Sequence, residues 1–233
     1  MRDEKYWVVL PAAGVGKRMQ VDHPKQYLTI NNKTIIEHTL SCFSHNNLFS
    51  GIVVAISEGD EYWPTIRVDS DVPIYQALGG SERCFSVLNG LRFLSGFAKE
   101  NDWVLVHDAA RPCLRNTDLN ALVNQIGNHS VGGILGLPVS DTLKYCGDNH
   151  RIKRTVGRNN LWRALTPQMF RYGKLLAALE SGTRQPEKIT DEASAMEMSG
   201  YEPVMVEGHW DNIKITHPQD LTQASLIMKS RES

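Results

Sequence analysis

The stretch "VVLPAAGVGKRMQVDHPKQYL", residues 8–28, passes from an unbroken apolar run through a turn of small residues into a group of basic side chains. The apolar part does not alternate with polar residues. It therefore reads as a strand covered on both faces, the environment of a parallel sheet. "GIVVAIS" (51–57), "WVLVHDA" (103–109) and "GGILGLPV" (132–139) have the same character. Helical spacing separates these runs. Ile36, Leu40 and Phe43 fall at i, i+4 and i+7, and Val87, Leu91 and Leu94 repeat that pattern. Leu119, Leu122, Val123 and Ile126 form an amphipathic stripe after the capping-type run Asn116-Thr117-Asp118. Strand and helix in alternation predict an α/β fold, a mostly parallel sheet with helices on both faces.

Between about 137 and 160 the alternation stops. "LPVSDTLKYCGDNHRIKRTVGRNNLW" (137–162) holds two short strand-like pieces around the turn signal Gly147-Asp148-Asn149. A β-arm at about 137–158 is expected, too small to fold alone and used to form a homodimer. Helices resume at about 171–181, 191–199 and 218–230, with Pro218 in the first turn of the last. Thr190 is the expected N-cap of the middle one, and Asp191 and Glu192 are read as first-turn acids that complement the helix dipole. Residues 1–233 then make one domain carrying the arm as an insertion.

A hydrophobic share of 41% and a formal net charge of −1 fit a soluble globular protein and argue against a bulk nucleic-acid binder. They leave room for a local basic pocket. No stretch approaches the ~20 apolar residues of a membrane span, and "MRDEKYW" lacks the pattern of an export signal. Cys42, Cys84, Cys113 and Cys146 form no C-x-x-C pair and are read as buried structural thiols in a reduced, cytoplasmic setting. No histidines have metal-site spacing, and His107 beside Asp108 reads as structural.

Three readings compete for "PAAGVGKRM" (11–19). A P-loop would need Ser or Thr after its lysine, where Arg18 stands, and its glycine spacing differs. The dinucleotide fingerprint fails at its third glycine, which is Met19. The two glycines alone are also compatible with a plain strand-to-helix turn. The combination points further. Gly14 and Gly16 permit close backbone approach to phosphate oxygens, Lys17, Arg18 and Lys25 add positive charge, and Pro24 stiffens the chain before Lys25.

"LPAAGVGKRM…PKQYL" resembles the signature of the nucleotidyltransferases that activate sugars and polyols, and more narrowly that of the 2-C-methyl-D-erythritol 4-phosphate cytidylyltransferases. The likeness continues in order through "GGSERCFSVLNGL" (79–91), "VHDAARP" (106–112), "DTLK" (141–144), "ALTPQMF" (164–170), "ITDEASAME" (189–197) and "DNIKIT" (211–216). The resemblance implies attack of a polyol phosphate on the α-phosphorus of CTP, with pyrophosphate leaving. Such a reaction needs positioning and charge stabilisation rather than a general base.

The resemblance implies that Arg18 and Lys25 are the catalytic pair at the α-phosphate. Lys17 would help bind the other phosphates, along a loop formed by Pro11, Ala12, Ala13, Gly14 and Gly16. Gly80, Ser81, Arg83 and Ser86 would hold the nucleotide, with Ser81 as a helix N-cap and Gly79 and Gly80 leaving space for the base. Asp108 and Ala109 would complete the nucleotide site, Asp108 also lying near Mg²⁺ and the incoming phosphate; a local pairing of Asp108 with Arg111 is compatible with this. For the polyol phosphate the implied residues are Asp108, Arg111, Thr142, Arg158, Thr166 and Lys214. Gly157 departs from the family pattern before Arg158 and loosens the expected backbone there. Chemistry alone does not choose CTP over UTP. The rival readings are a cytidylyltransferase for ribitol 5-phosphate and a noncatalytic nucleotide-binding regulator.

Overall fold

Strand β1 (Tyr6–Pro11) shows why a continuous apolar run was needed. Val8 and Leu10 point into one hydrophobic cluster, and Trp7 and Val9 into another on the opposite face of the sheet. β4 (Phe49–Ile56) and β6 (Trp103–Val106) flank β1 in parallel and divide their side chains in the same way. Each of these strands is buried on both sides, as expected for a sheet layered between helices. The computed structural model that reveals this describes residues 4–14, 19 and 23–232.

Among the described residues the main sheet has seven strands in the order β11-β7-β10-β6-β1-β4-β5, with β5 at Ile74–Leu78, β7 at Gly132–Pro138, β10 at Trp162–Arg171 and β11 at Val204–Glu207. β10 runs antiparallel to both β6 and β7. The other pairings are parallel. A small antiparallel pair, β2 (Thr29–Ile30) and β3 (Lys33–Thr34), precedes helix α1 (Ile35–Ser41). Helices α1 and α3 (Asn116–Ile126) cover one face of the sheet through Ile36, Leu40, Leu119, Leu122 and Ile126. Helices α2 (Arg83–Phe93), α4 (Tyr172–Gly182) and α5 (Glu192–Met198) cover the other. A third cluster, including Met19, Ile30, Ile215 and Ile227, lies under helix α6 (Pro218–Glu232).

Several helix starts differ from the sequence expectation. α3 begins inside the supposed cap, with Arg115 at the N-cap and no side-chain cap bond. Asp118 instead turns inward and accepts the backbone N–H of His209 at 3.0 Å. α5 is capped by Asp191 rather than Thr190, because Asp191 and Ser194 satisfy each other's backbone in a reciprocal box. α2 is preceded by Glu82, not Ser81.

Leu137 and Pro138 belong to the main sheet, where β7 pairs with β10. The hairpin proper is β8 (Leu143–Cys146) and β9 (Ile152–Val156), turned at Gly147-Asp148-Asn149. Its strands are almost entirely exposed, including the apolar side chains of Leu143, Tyr145 and Ile152. Cys146 is exposed there as well, and Cys42 is only partly buried, so the expectation of four buried thiols holds for Cys84 and Cys113 alone. The hairpin offers Cys146 no layer to bury it.

Candidate active site

Three parallel strands end on the same side of the sheet, and the loops that follow β1, β5 and β6 meet there. Backbone bonds continue the strands into these loops: Ala12 donates to the carbonyl of Ala55 at 2.8 Å, Gly79 to Ile56 at 2.6 Å and His107 to Val9 at 3.0 Å. Open α/β sheets collect ligands beyond the carboxyl ends of their strands for this reason. The resulting cavity has a volume of roughly 170 Å³ and is open to solvent at its mouth. Pro11, Ala12, Ala13, Gly14, Lys25, Gly80, Ser81, Arg83, Ser86, Asp108, Ala109 and Lys214 all line it, bringing together positions spread over two hundred residues of chain. Gly16, Lys17 and Arg18 lie outside the described residues.

The loop after β1 is held by side chains the sequence reading did not single out. Gln26 donates to the carbonyl of Ala12 at 2.6 Å, and Ser57 donates to that of Ala13 at 3.0 Å. Gly14 lines the cavity, and among the described residues no atom lies within 4 Å of where its Cβ would stand. Lys25 opens a single 3₁₀ turn, Lys25–Tyr27, and its ammonium donates to the carbonyl of Ile215 at 2.7 Å.

The glycines after β5 stand where the protein packs tightly. A Cβ at Gly79 would stand 2.3 Å from the Ala13 Cβ, and one at Gly80 would stand 2.3 Å from the Phe85 Cβ. At Gly79 the missing side chain draws two cavity loops together, and at Gly80 it lets the loop fold onto the first turn of α2. Glu82 at the N-cap makes no side-chain cap bond, and Ser86 inside the first turn holds the preceding loop instead: its hydroxyl accepts the N–H of Gly80 at 3.0 Å and donates to the carbonyl of Glu82 at 3.2 Å.

Asp108 sits at the electrostatic centre. Arg83 reaches one of its oxygens at 2.8 Å, Lys214 the other at 2.8 Å, and Arg111 lies 3.4 Å from that second oxygen. Burial alone would push this carboxyl up, but Arg83, Lys214 and Arg111 together outweigh it and hold the group well below the usual carboxylate range. The local pairing with Arg111 and the cavity position therefore coexist. Arg83 also grips the fully buried Glu192 with two bonds, at 2.6 and 3.0 Å. Glu192 is thus a partner of the site's arginine and not a solvent-facing first-turn acid. Its signal in the sequence was its place inside "ITDEASAME"; nothing local names its partner.

His107 is buried behind Asp108. Its Nε2 faces the carbonyl of Arg111 at 3.0 Å, which can only accept, so Nε2 carries the proton. Nδ1 then accepts from the Thr166 hydroxyl at 3.0 Å, and that hydroxyl accepts the N–H of Asp108 at 3.2 Å. Burial pushes the imidazole down to about 4, leaving it neutral and structural. Thr166 and Arg111 stand next to Asp108 but do not line the cavity. Arg111 donates to the carbonyl of Asn212, and the Asn212 side chain donates to that of Thr166, each at 2.7 Å.

Thr142 and Arg158 lie elsewhere. Both are exposed at the base of the hairpin, one before β8 and the other after β9, and Arg158 donates to the carbonyl of Ser140. A single chain does not bring them to the cavity wall. Gly157 has no positive φ and no close neighbour, so no backbone constraint calls for glycine at that position. Among the described residues no three His, Cys, Asp or Glu side chains gather as a metal cluster.

Comparisons with known proteins add to this geometry. Residues 6–230 match the family IspD: 2-C-methyl-D-erythritol 4-phosphate cytidylyltransferase. A protein of that name from Hahella chejuensis is 48% identical over 229 residues, covering 98% of this chain and 95% of the relative. A crystal structure of 4-diphosphocytidyl-2C-methyl-D-erythritol synthase superposes with a TM-score of 0.85 at 38% identity, covering 98% of this chain and 100% of the other. The Francisella tularensis 2-C-methyl-D-erythritol 4-phosphate cytidylyltransferase structure gives 0.84 at 39% identity, with 96% and 100% covered.

Proposed function

We propose a division of labour among these residues from one premise: the chain belongs to the family IspD, 2-C-methyl-D-erythritol 4-phosphate cytidylyltransferase. The enzyme transfers CMP from CTP to 2-C-methyl-D-erythritol 4-phosphate, in isoprenoid precursor synthesis. A phosphate oxygen of the polyol phosphate bonds to the α-phosphorus, the bond to pyrophosphate breaks, and 4-diphosphocytidyl-2-C-methyl-D-erythritol remains. The nucleophile is already an anion, so the protein's task is to bring two polyanions together and stabilise charge on the phosphoryl oxygens.

The observation that supports the residue assignment is the cavity beyond β1, β5 and β6, where Arg83 and Lys214 pair with Asp108 and Lys25 lines the same wall. Lys25 and Arg18 stabilise the α-phosphate as charge develops, and Lys17 binds the outer phosphates. The loop 11–14 and Gly16 carry backbone to the triphosphate. Gly80, Ser81, Arg83 and Ser86 hold the nucleoside end. Asp108, Arg111, Thr166 and Lys214 receive the polyol phosphate, and Lys214 is released from Asp108 to grip it. Thr142 and Arg158 complete that half from a second copy of the chain, joined through the hairpin as a homodimer.

The wall carries two carboxylates, Asp108 and Glu82, and Mg²⁺ binds through one or two carboxylates and substrate phosphates. Asp108 would be its protein ligand, and the cation's contribution when bound is to neutralise phosphate charge. No described helix is long and apolar enough to cross a membrane. Four free thiols among the described residues favour a reducing, cytoplasmic setting.

Pyrophosphate release with CTP and Mg²⁺ tests the reading, comparing 2-C-methyl-D-erythritol 4-phosphate with ribitol 5-phosphate. Release with the first alone is expected, abolished by a chelator. Release with ribitol phosphate would move the error to the substrate half of the site. Silence with both would leave only a nucleotide binder.

A further inference from the structure

Glu192 is the most deeply buried acid beside the cavity, yet it does not line it. Both its oxygens are taken by one guanidinium, from Nη1 at 2.6 Å and Nη2 at 3.0 Å of Arg83. Two parallel bonds of this kind define the plane of the guanidinium as well as its position. That plane leaves Nε of Arg83 facing Asp108 at 2.8 Å. Arg83 and Asp108 both line the cavity, so a residue behind the wall sets the orientation of Arg83, which shares Asp108 with Lys214 and Arg111.

The residue behind is itself held on both sides. Gln168 of β10 is buried, and its amide oxygen accepts the N–H of Ala193 at 2.9 Å. Its amide nitrogen donates to Asp191 at 2.9 Å, and Asp191 accepts the N–H of Ser194 at 2.9 Å as the helix cap. The backbone flanking Glu192 is therefore tied to the central sheet. An arginine at the start of a helix beside an open cavity would otherwise sample several rotamers, a freedom that would have to be lost when substrate binds.

Resting on the reading that Arg83 and Asp108 belong to the nucleotide site, we propose that Glu192 is a positioning residue of cytidylyl transfer. It acts through Arg83 to hold Asp108 in place at the cavity wall. Charge and geometry make opposite predictions here. Neutralising Glu192 leaves the site more positive, which by charge alone would strengthen triphosphate binding. A loss of CTP recognition in such a variant reports lost orientation.

The test is steady-state pyrophosphate release by the full chain, with thermal midpoints measured alongside. In Glu192→Gln one acceptor oxygen becomes a donor facing an N–H of Arg83. The KM for CTP is expected to rise about tenfold, the loss of one charge-assisted hydrogen bond. A purely structural role would lower the thermal midpoint while leaving the KM of the folded enzyme unchanged, and that result overturns the proposal. Glu192→Asp keeps the charge but withdraws it by one methylene, so it serves if the Gln variant does not fold; a KM equal to wild type in it also overturns the proposal. In an Arg83→Lys background, Glu192→Gln should change KM less than about twofold, because the contact it perturbs is already gone. A full further tenfold loss there would mean that Glu192 does not act through Arg83. If Arg83→Lys alone leaves both kcat and KM untouched, Arg83 is no part of the nucleotide site; the premise then fails, and the proposal with it.

Discussion

Replacing Arg83 with methionine isolates the energetic consequence of a buried, shared guanidinium. Methionine keeps much of the unbranched stem and removes only the cation. Asp108 retains Lys214 at 2.8 Å and Arg111 at 3.4 Å, so its charge stays compensated. Among the described residues Glu192 retains no comparable cation, and its side chain is 0% exposed. Removing one partner of a buried pair costs about 3–5 kcal/mol, because the remaining charge has neither water nor a counter-ion. Against a total stability of roughly 5–15 kcal/mol, that is a large share. For a domain of this size it corresponds to a thermal midpoint lowered by roughly 6–20 °C.

The stranded carboxyl has one escape, which is to take up a proton. Burial already pushes Glu192 above the usual carboxylate range even with Arg83 beside it, and losing Arg83 pushes it higher. The folded variant then binds a proton at a pH where the unfolded chain does not, so its penalty shrinks as pH falls. Urea unfolding should show the full loss near pH 8 and a smaller one near pH 5.5. Adding Glu192→Gln to Arg83→Met should restore roughly half of the loss at pH 8 by removing the uncompensated charge. Equal losses at both pH values, with no recovery in the double variant, would refute the reasoning: the cost would then lie in packing.

Lys25→Ala should lower kcat by about 10²–10³ while leaving CTP affinity by calorimetry nearly intact; equal losses in both would make Lys25 a binding residue only. Deleting residues 141–155 should yield monomers by light scattering, and a persistent dimer would place the interface elsewhere. For His107, held down to about 4 against an ordinary 6.5, the unfolded chain takes up a proton that the folded one refuses. Stability from the neutral ring is complete above pH 6.5 and is lost as pH falls toward 4, by about 3 kcal/mol. His107→Gln should flatten that part of the urea-midpoint profile, and an unchanged slope would assign the acid sensitivity to other groups.

The layered architecture was legible because burial on two faces leaves a local trace. Where Trp7 and Val9 serve one cluster and Val8 and Leu10 the other, no polar residue can intervene, and the run reads as continuous. The amphipathic stripe of α3 is legible for the converse reason, since Leu119, Leu122 and Ile126 face the core while Asn124 and Gln125 face water. Most of the cavity wall was also in reach, because the residues carried by the family resemblance lie on loops at the ends of those strands.

The direction of β10 was not legible. An apolar strand has the same composition whichever way it runs, and only its register between β6 and β7 makes it antiparallel. The helix starts moved for a similar reason, since Asp191 became a cap by meeting Ser194 while Asp118 turned toward His209. The ion pairs depend most on the fold. Arg83 and Glu192 are 109 residues apart, and nothing around either one specifies the other. Sequence by itself determined which segments are buried, since hydrophobic free energy adds up residue by residue along the chain. Which carboxylate meets which cation was decided by tertiary structure, because a Coulomb interaction depends on the distance between segments, and the fold alone sets that distance.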